Sequence, residues 1–80
     1  MTKLLKYTIL ITPQEPRGYL VTVPELPGCF TEGDTIEESF KMASDAIDSY
    51  LSVLEQENLP IPEERKTIIS TIELNRKIPA

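Results

Sequence analysis

The sequence predicts an α+β domain in the order β-β-β-α-β, a small mixed sheet with one long helix packed on one face. Three observations predict it. Two period-two apolar runs near the N-terminus read as neighbouring strands. A capped stretch with apolar residues every three or four positions reads as a helix. A β-branched run after a proline-rich link reads as a last strand. Eighty residues suit one domain, expected over 1–80 with its core over about 5–74.

The first strand is predicted over Leu5–Thr12, where Tyr7, Ile9 and Ile11 alternate with Thr8, Leu10 and Thr12. Pro13-Gln14-Glu15-Pro16-Arg17-Gly18 is a connecting loop by its prolines and glycine. Tyr19–Val23 is the second strand, with Tyr19, Val21 and Val23 on one face. It ends or bulges at Pro24, which has no N–H to give a ladder. Cys29-Phe30-Thr31-Glu32 is the third strand, broken by Gly33-Asp34.

Thr35-Ile36-Glu37-Glu38 is a capping box. The Thr35 hydroxyl is expected to accept from the Glu38 amide, and the Glu38 carboxylate to reach back to the Thr35 amide. Asp34, Glu37 and Glu38 also sit where the helix dipole favours negative charge. The apolar face is predicted as Ile36, Phe40, Ala43, Ile47, Tyr50, Leu51 and Leu54. The helix is expected to reach about Glu57, with Asn58 as a left-handed cap and Pro60 blocking continuation. Leu59-Pro60-Ile61-Pro62 is an extended link, and Thr67–Leu74 the last strand. Thr8, Leu10, Thr12, Leu20 and Thr22 would then lie on a sheet face without a helix, a candidate for self-association.

Composition excludes more than it assigns. Thirteen acids against eight bases give a net charge of −5, the wrong sign for a nucleic-acid footprint and the right one for a basic partner. There is no histidine, so histidine-based nucleophilic sites are excluded from this chain. One cysteine makes neither a disulfide nor a structural zinc site, and Cys29 is expected to be packed. The three glycines stand apart and form no phosphate-cradling loop. Asp34, Glu37 and Glu38 could be imagined around a metal, but capping and the helix dipole account for them. Neither a cofactor nor a metal ligand set is expected. No apolar run approaches the roughly 18 residues of a membrane span, and Met1-Thr2-Lys3-Leu4-Leu5-Lys6 is no signal sequence. A cytoplasmic protein is the expectation.

Pro24, Leu26-Pro27-Gly28-Cys29, Gly33-Asp34-Thr35 and Glu37-Glu38, in that order, make the chain resemble a HicB-like antitoxin core domain. The Gly18-Tyr19 strand entry, the helix ending in Tyr50-Leu51 and the Leu59-Pro60-Ile61-Pro62 segment fit the same pattern, so the likeness covers about residues 7–74. The resemblance implies a partial ribonuclease-H-like fold. It also implies a partner, a small HicA-type toxin that cleaves messenger RNA, whose RNA-binding or catalytic surface the antitoxin covers. No enzymatic chemistry is then required of this chain. Two departures stand out. Ser39 occupies a position where the family commonly has alanine, on what reads as helix surface. After Leu74 too few residues remain for the DNA-binding module of many members, so no direct DNA binding is expected.

Within the opening run, Pro24, Pro27, Gly28, Gly33, Thr35 and Glu38 read as the architecture of a strand-turn-strand-helix corner. Glu25, Glu32 and Asp34 are the candidate partner contacts, being acids near strand ends and turns. Two other readings compete with the antitoxin. One is a solitary homo-oligomeric regulatory or ligand-binding module. The other is a metal-dependent nuclease, suggested by topology alone.

Overall fold

The computed structural model describes residues 2–79, so Met1 and Ala80, the outermost residues of the predicted domain, lie outside the described residues. Three strands, β1 (Leu10–Pro13), β2 (Tyr19–Thr22) and β3 (Phe30–Gly33), precede one helix, α1 (Ile36–Gln56). The strands form one sheet in the order β1-β2-β3, antiparallel throughout. The architecture is the predicted α+β arrangement, with three corrections. The sheet is not mixed, β1 begins at Leu10 rather than at Leu5, and Thr67–Leu74 joins no ladder among the described residues.

The last strand fails for a physical reason. β-branched residues favour an extended chain, but a strand also needs a neighbour to bond to. Pro60 and Pro62 bring the chain back towards the sheet without N–H groups to offer it. The returning segment is held by isolated contacts instead. Tyr7 donates its hydroxyl to the Pro62 carbonyl, the Thr8 amide donates to Glu64 Oε1 at 2.6 Å, and Lys3 pairs with Glu63. From Lys66 to Pro79 every residue is exposed.

Register fixes which side chains share a face. Thr12 lies opposite Leu20, and Leu20 opposite Glu32; Leu10 lies opposite Thr22, and Thr22 opposite Phe30. These residues occupy one face. Ile11, Val21 and Thr31 occupy the other, where Val21 is fully buried. Val23, Leu26 and Cys29 form the core cluster, with Tyr7, Ile9, Ala46, Ile47, Tyr50 and Leu51 packed against it.

The helix start follows its sequence signal with one change. Thr35 Oγ1 accepts from the Glu38 amide at 3.0 Å, while the Glu38 carboxylate reaches one residue further back, to the Asp34 amide at 3.2 Å. The helix end is a Schellman motif: the Leu59 amide bonds to the Leu54 carbonyl and the Asn58 amide to the Glu55 carbonyl. Asn58 takes the left-handed conformation, with φ 56°. Replacing Thr35 with alanine removes the N-cap acceptor and is expected to cost about 1 kcal/mol, read as a lower urea midpoint at unchanged m-value.

The buried face of α1 follows the predicted one from Ala43 onwards, with Ile47, Tyr50 and Leu51 against the core. It differs at its start, where Ile36 and Phe40 are exposed and Ser39 is buried. Ser39 is therefore not a surface position. It packs directly against Gly33 of β3, leaving no room for a Cβ there, and its hydroxyl donates to the Thr35 carbonyl at 2.7 Å. Small residues at 33, 39 and 43 let the helix approach the strands, and this close approach turns Phe40 outwards.

Candidate functional site

The corner between β2 and β3 is built from two successive turns closed by a backbone bond between Val23 and Cys29. The Leu26 amide bonds to the Val23 carbonyl at 3.0 Å, the Cys29 amide to the Leu26 carbonyl at 2.9 Å, and the Val23 amide to the Cys29 carbonyl at 3.1 Å. Pro24 and Pro27 occupy exposed positions between these bonds, where neither needs an N–H. Gly28 has φ 79°, a conformation L side chains rarely adopt. The turns direct Leu26 inwards, fully buried, and Tyr50 of α1 donates its hydroxyl to the Pro27 carbonyl at 2.9 Å. Burial pushes the Cys29 thiol above its ordinary pKa, so it stays protonated and unreactive at neutral pH.

The corner has a consequence for the sheet surface. It delivers β3 with Phe30 and Glu32 on the face away from α1. On that open face Phe30 is 64% exposed and Leu10 37% exposed, with Leu20 half-buried between Thr12 and Glu32. The result is a small apolar surface with an acid at its edge.

The three candidate contact acids have different surroundings. Glu32 is exposed on the open face, opposite Leu20. Asp34 is exposed just beyond β3, with its amide held by Glu38. Glu25 is partly buried and pairs with Arg65, Nε to Oε1 at 3.1 Å. Glu32 and Asp34 thus flank the end of one strand, while Glu25 anchors the returning chain. Separation of 40 positions hid the Glu25–Arg65 pair from sequence reading.

The returning chain also leaves a groove of about 500 Å³ between residues 3–8 and 63–67. Tyr7 lies there; burial, then the Glu63 and Glu25 carboxylates, push its phenol upwards, so it remains a donor to Pro62. The hydrogen bond and charge of Lys3 hold the Glu63 carboxyl below its usual pKa. Among the described residues no three His, Cys, Asp or Glu side chains converge on a point that could hold a metal. No described helix is long and apolar enough to cross a membrane.

Comparison with known proteins bears on this surface. The family described as HicB-like antitoxin of bacterial toxin-antitoxin system matches residues 7–78. A UPF0150 protein of Thermoplasma acidophilum is 43% identical over 60 residues, covering 75% of this chain and 87% of that one. Antitoxin HicB 1 of Photorhabdus laumondii is 37% identical over 60 residues, covering 75% of this chain and 39% of its own. Antitoxin HicB of Escherichia coli is 29% identical over 58 residues, covering 72% of this chain and 42% of its own. The chain thus spans most of the small UPF0150 relative and about two fifths of the named antitoxins.

Proposed function

We propose, from the premise that this chain belongs to the HicB-like antitoxin family, that it neutralises a small HicA-type toxin by covering the surface that engages messenger RNA. The observation that carries this reading is the open sheet face. Phe30 and Leu10 are exposed there, and Glu32 stands at the edge. A ribonuclease that grips a polyanion needs a basic surface, and an apolar patch edged by acids on a chain of net charge −5 complements it. Phe30 would supply the aromatic anchor that dominates many interfaces. Such a role requires binding and no catalysis. It belongs in the cytoplasm, where messenger RNA is translated. The same negative charge disfavours direct contact with DNA or an anionic membrane.

Glu32 and Asp34 are proposed as the acids that steer association. Glu25 is proposed with them, sharing its carboxylate with Arg65. Stopped-flow mixing with the candidate toxin tests this. Charge reversal by Glu32→Lys with Asp34→Lys is expected to slow association about tenfold at low salt and to flatten its salt dependence. An unchanged rate removes these residues from the interface. Failure of the wild-type chain to form any stable complex with a toxin encoded beside it overturns the antitoxin reading. That outcome would favour a solitary homo-oligomeric regulatory module, a reading the exposed C-terminal segment supports on its own account.

A further inference from the structure

The sheet order β1-β2-β3 leaves β3 with one neighbour, and the hydrogen bonds fix which of its backbone groups that neighbour uses. The Val23 amide donates to the Cys29 carbonyl, and the Gln14 amide to the Gly18 carbonyl. Bonded pairs alternate along an antiparallel ladder. Counting in twos from Val23, the residues of β2 that bond to β3 are Val21 and Tyr19, opposite Thr31 and Gly33. Counting in twos from Gly18, Leu20 and Thr22 bond to β1 instead, opposite Thr12 and Leu10. The two counts agree, and they leave Pro13 where β2 needs no N–H from it. Phe30 and Glu32 therefore direct their N–H and C=O groups away from β2, to a side where no other described strand stands.

The opposite edge of the sheet is blunted and this one is not. On β1, Pro13 has no N–H, and the returning chain lies against Tyr7 and Thr8 just before the strand. On β3 the outward positions hold neither proline nor lysine, and the side chains of Phe30 and Glu32 are both exposed on the open face. A strand added here sets the side chains of its own bonded residues beside these two. A second copy of β3 is a poor match. In antiparallel registers centred on Phe30, Thr31 or Glu32, the Glu32 carboxylate would face Gly28, Phe30 or its own copy, never a base. A segment with an apolar residue opposite Phe30 and a lysine or arginine opposite Glu32 matches both.

We propose that β3 accepts a further strand at this edge, and that the occupant is an extended segment of the toxin carrying a lysine or arginine two residues from an apolar one. The proposal rests on the antitoxin reading and deepens it, giving the mode of contact in addition to the face. Main-chain bonds to Phe30 and Glu32 set the register of the added segment. The Glu32 carboxylate then pairs with the base, and the Phe30 ring covers the apolar residue. Charge complementarity selects the partner, because a protein that grips RNA is rich in such bases and this chain is acidic.

Amide hydrogen exchange, followed residue by residue by NMR on the full chain with and without the candidate toxin encoded beside it, tests the proposal. In the free chain the Thr31 and Gly33 amides are expected to be protected, and those of Phe30 and Glu32 to exchange about tenfold faster or more. Saturation with the toxin is expected to slow the Phe30 and Glu32 amides by about tenfold or more. Glu32→Pro removes an outward N–H that the ladder with β2 does not use. It is expected to weaken toxin capture about tenfold beyond Glu32→Ala, which removes the carboxylate alone. No complex with the wild-type chain overturns the antitoxin reading, and strand addition with it. A complex that leaves the Phe30 and Glu32 amides fast overturns strand addition alone, as does equal capture by Glu32→Ala and a folded Glu32→Pro. Protection of these two amides in the free chain that grows with its own concentration places a second copy on the edge, and overturns the proposal as well.

Discussion

Leu26→Ala is expected to destabilise the domain by about 3 kcal/mol, a large share of what a chain of this size has. Leu26 is the largest fully buried side chain. It touches the cluster in which Val23 and Cys29 meet Ala46, Ile47, Tyr50 and Leu51. Truncation removes apolar burial and leaves a cavity that two short turns cannot close, because their backbone bonds and two prolines fix the corner. Thermal and urea unfolding at one fixed protein concentration measure the loss. Leu10→Ala is the comparison. Leu10 is 37% exposed on the open face, and its truncation is expected to cost under about 1 kcal/mol. Equal losses at the two positions would place the core elsewhere than at this corner.

The corner was legible because its signals are local. Two prolines, a positive-φ glycine and a capping box each constrain the backbone within a few residues, and each acts within one residue of where the sequence places it. The helix ends were legible for the same reason. The mistaken elements depend on distant groups. Thr67–Leu74 has the composition of a strand, but whether it pairs is decided by what stands beside it, and among the described residues no strand does. Phe40 has the right period for the buried face, but the tight approach of Gly33 to Ser39 gives the start of that face to Ser39, while Ala43, Ile47, Tyr50 and Leu51 keep their expected places. Glu25 reads as a free loop acid until Arg65 arrives beside it. The open face was anticipated in part. Alternation alone puts Leu10 and Leu20 there, whereas Phe30 and Glu32 join them only through the register of β2 with β3.

The open face is a rigid patch carried by three hydrogen-bonded strands, suited to a partner that fits a preformed shape. Glu32→Lys with Asp34→Lys reverses the charge at its edge while leaving Phe30 and Leu10 in place.

Gly33→Ala is expected to be as damaging as loss of the core leucine, for a reason unrelated to backbone conformation. A Cβ at this position would lie 2.6 Å from Ser39 Oγ, 2.7 Å from the Ser39 amide nitrogen and 2.8 Å from its Cα. A side-chain oxygen could rotate away, but the nitrogen and Cα belong to the first turns of α1. Relief requires the helix to withdraw from β3, which opens the packing around Val21 and Ala43, both buried. Overpacking of this kind costs about 1–3 kcal/mol, and the backbone location of the clash puts Gly33→Ala at the upper end. Two comparisons isolate the cause. Gly28→Ala has φ 79° to contend with but nothing within 4 Å of the new carbon, so only conformational strain of about 1 kcal/mol is expected. Adding Ser39→Gly to Gly33→Ala removes the hydroxyl but not the backbone atoms, and recovery of less than half the loss in the urea midpoint is expected. Full recovery would instead make the hydroxyl the obstacle. Because β3 carries Phe30 and Glu32, withdrawal of the helix also disturbs the strand that presents them. Toxin capture by Gly33→Ala is therefore expected to fall below what its folded fraction alone accounts for, measured by titrating complex formation against the circular-dichroism signal of the same sample.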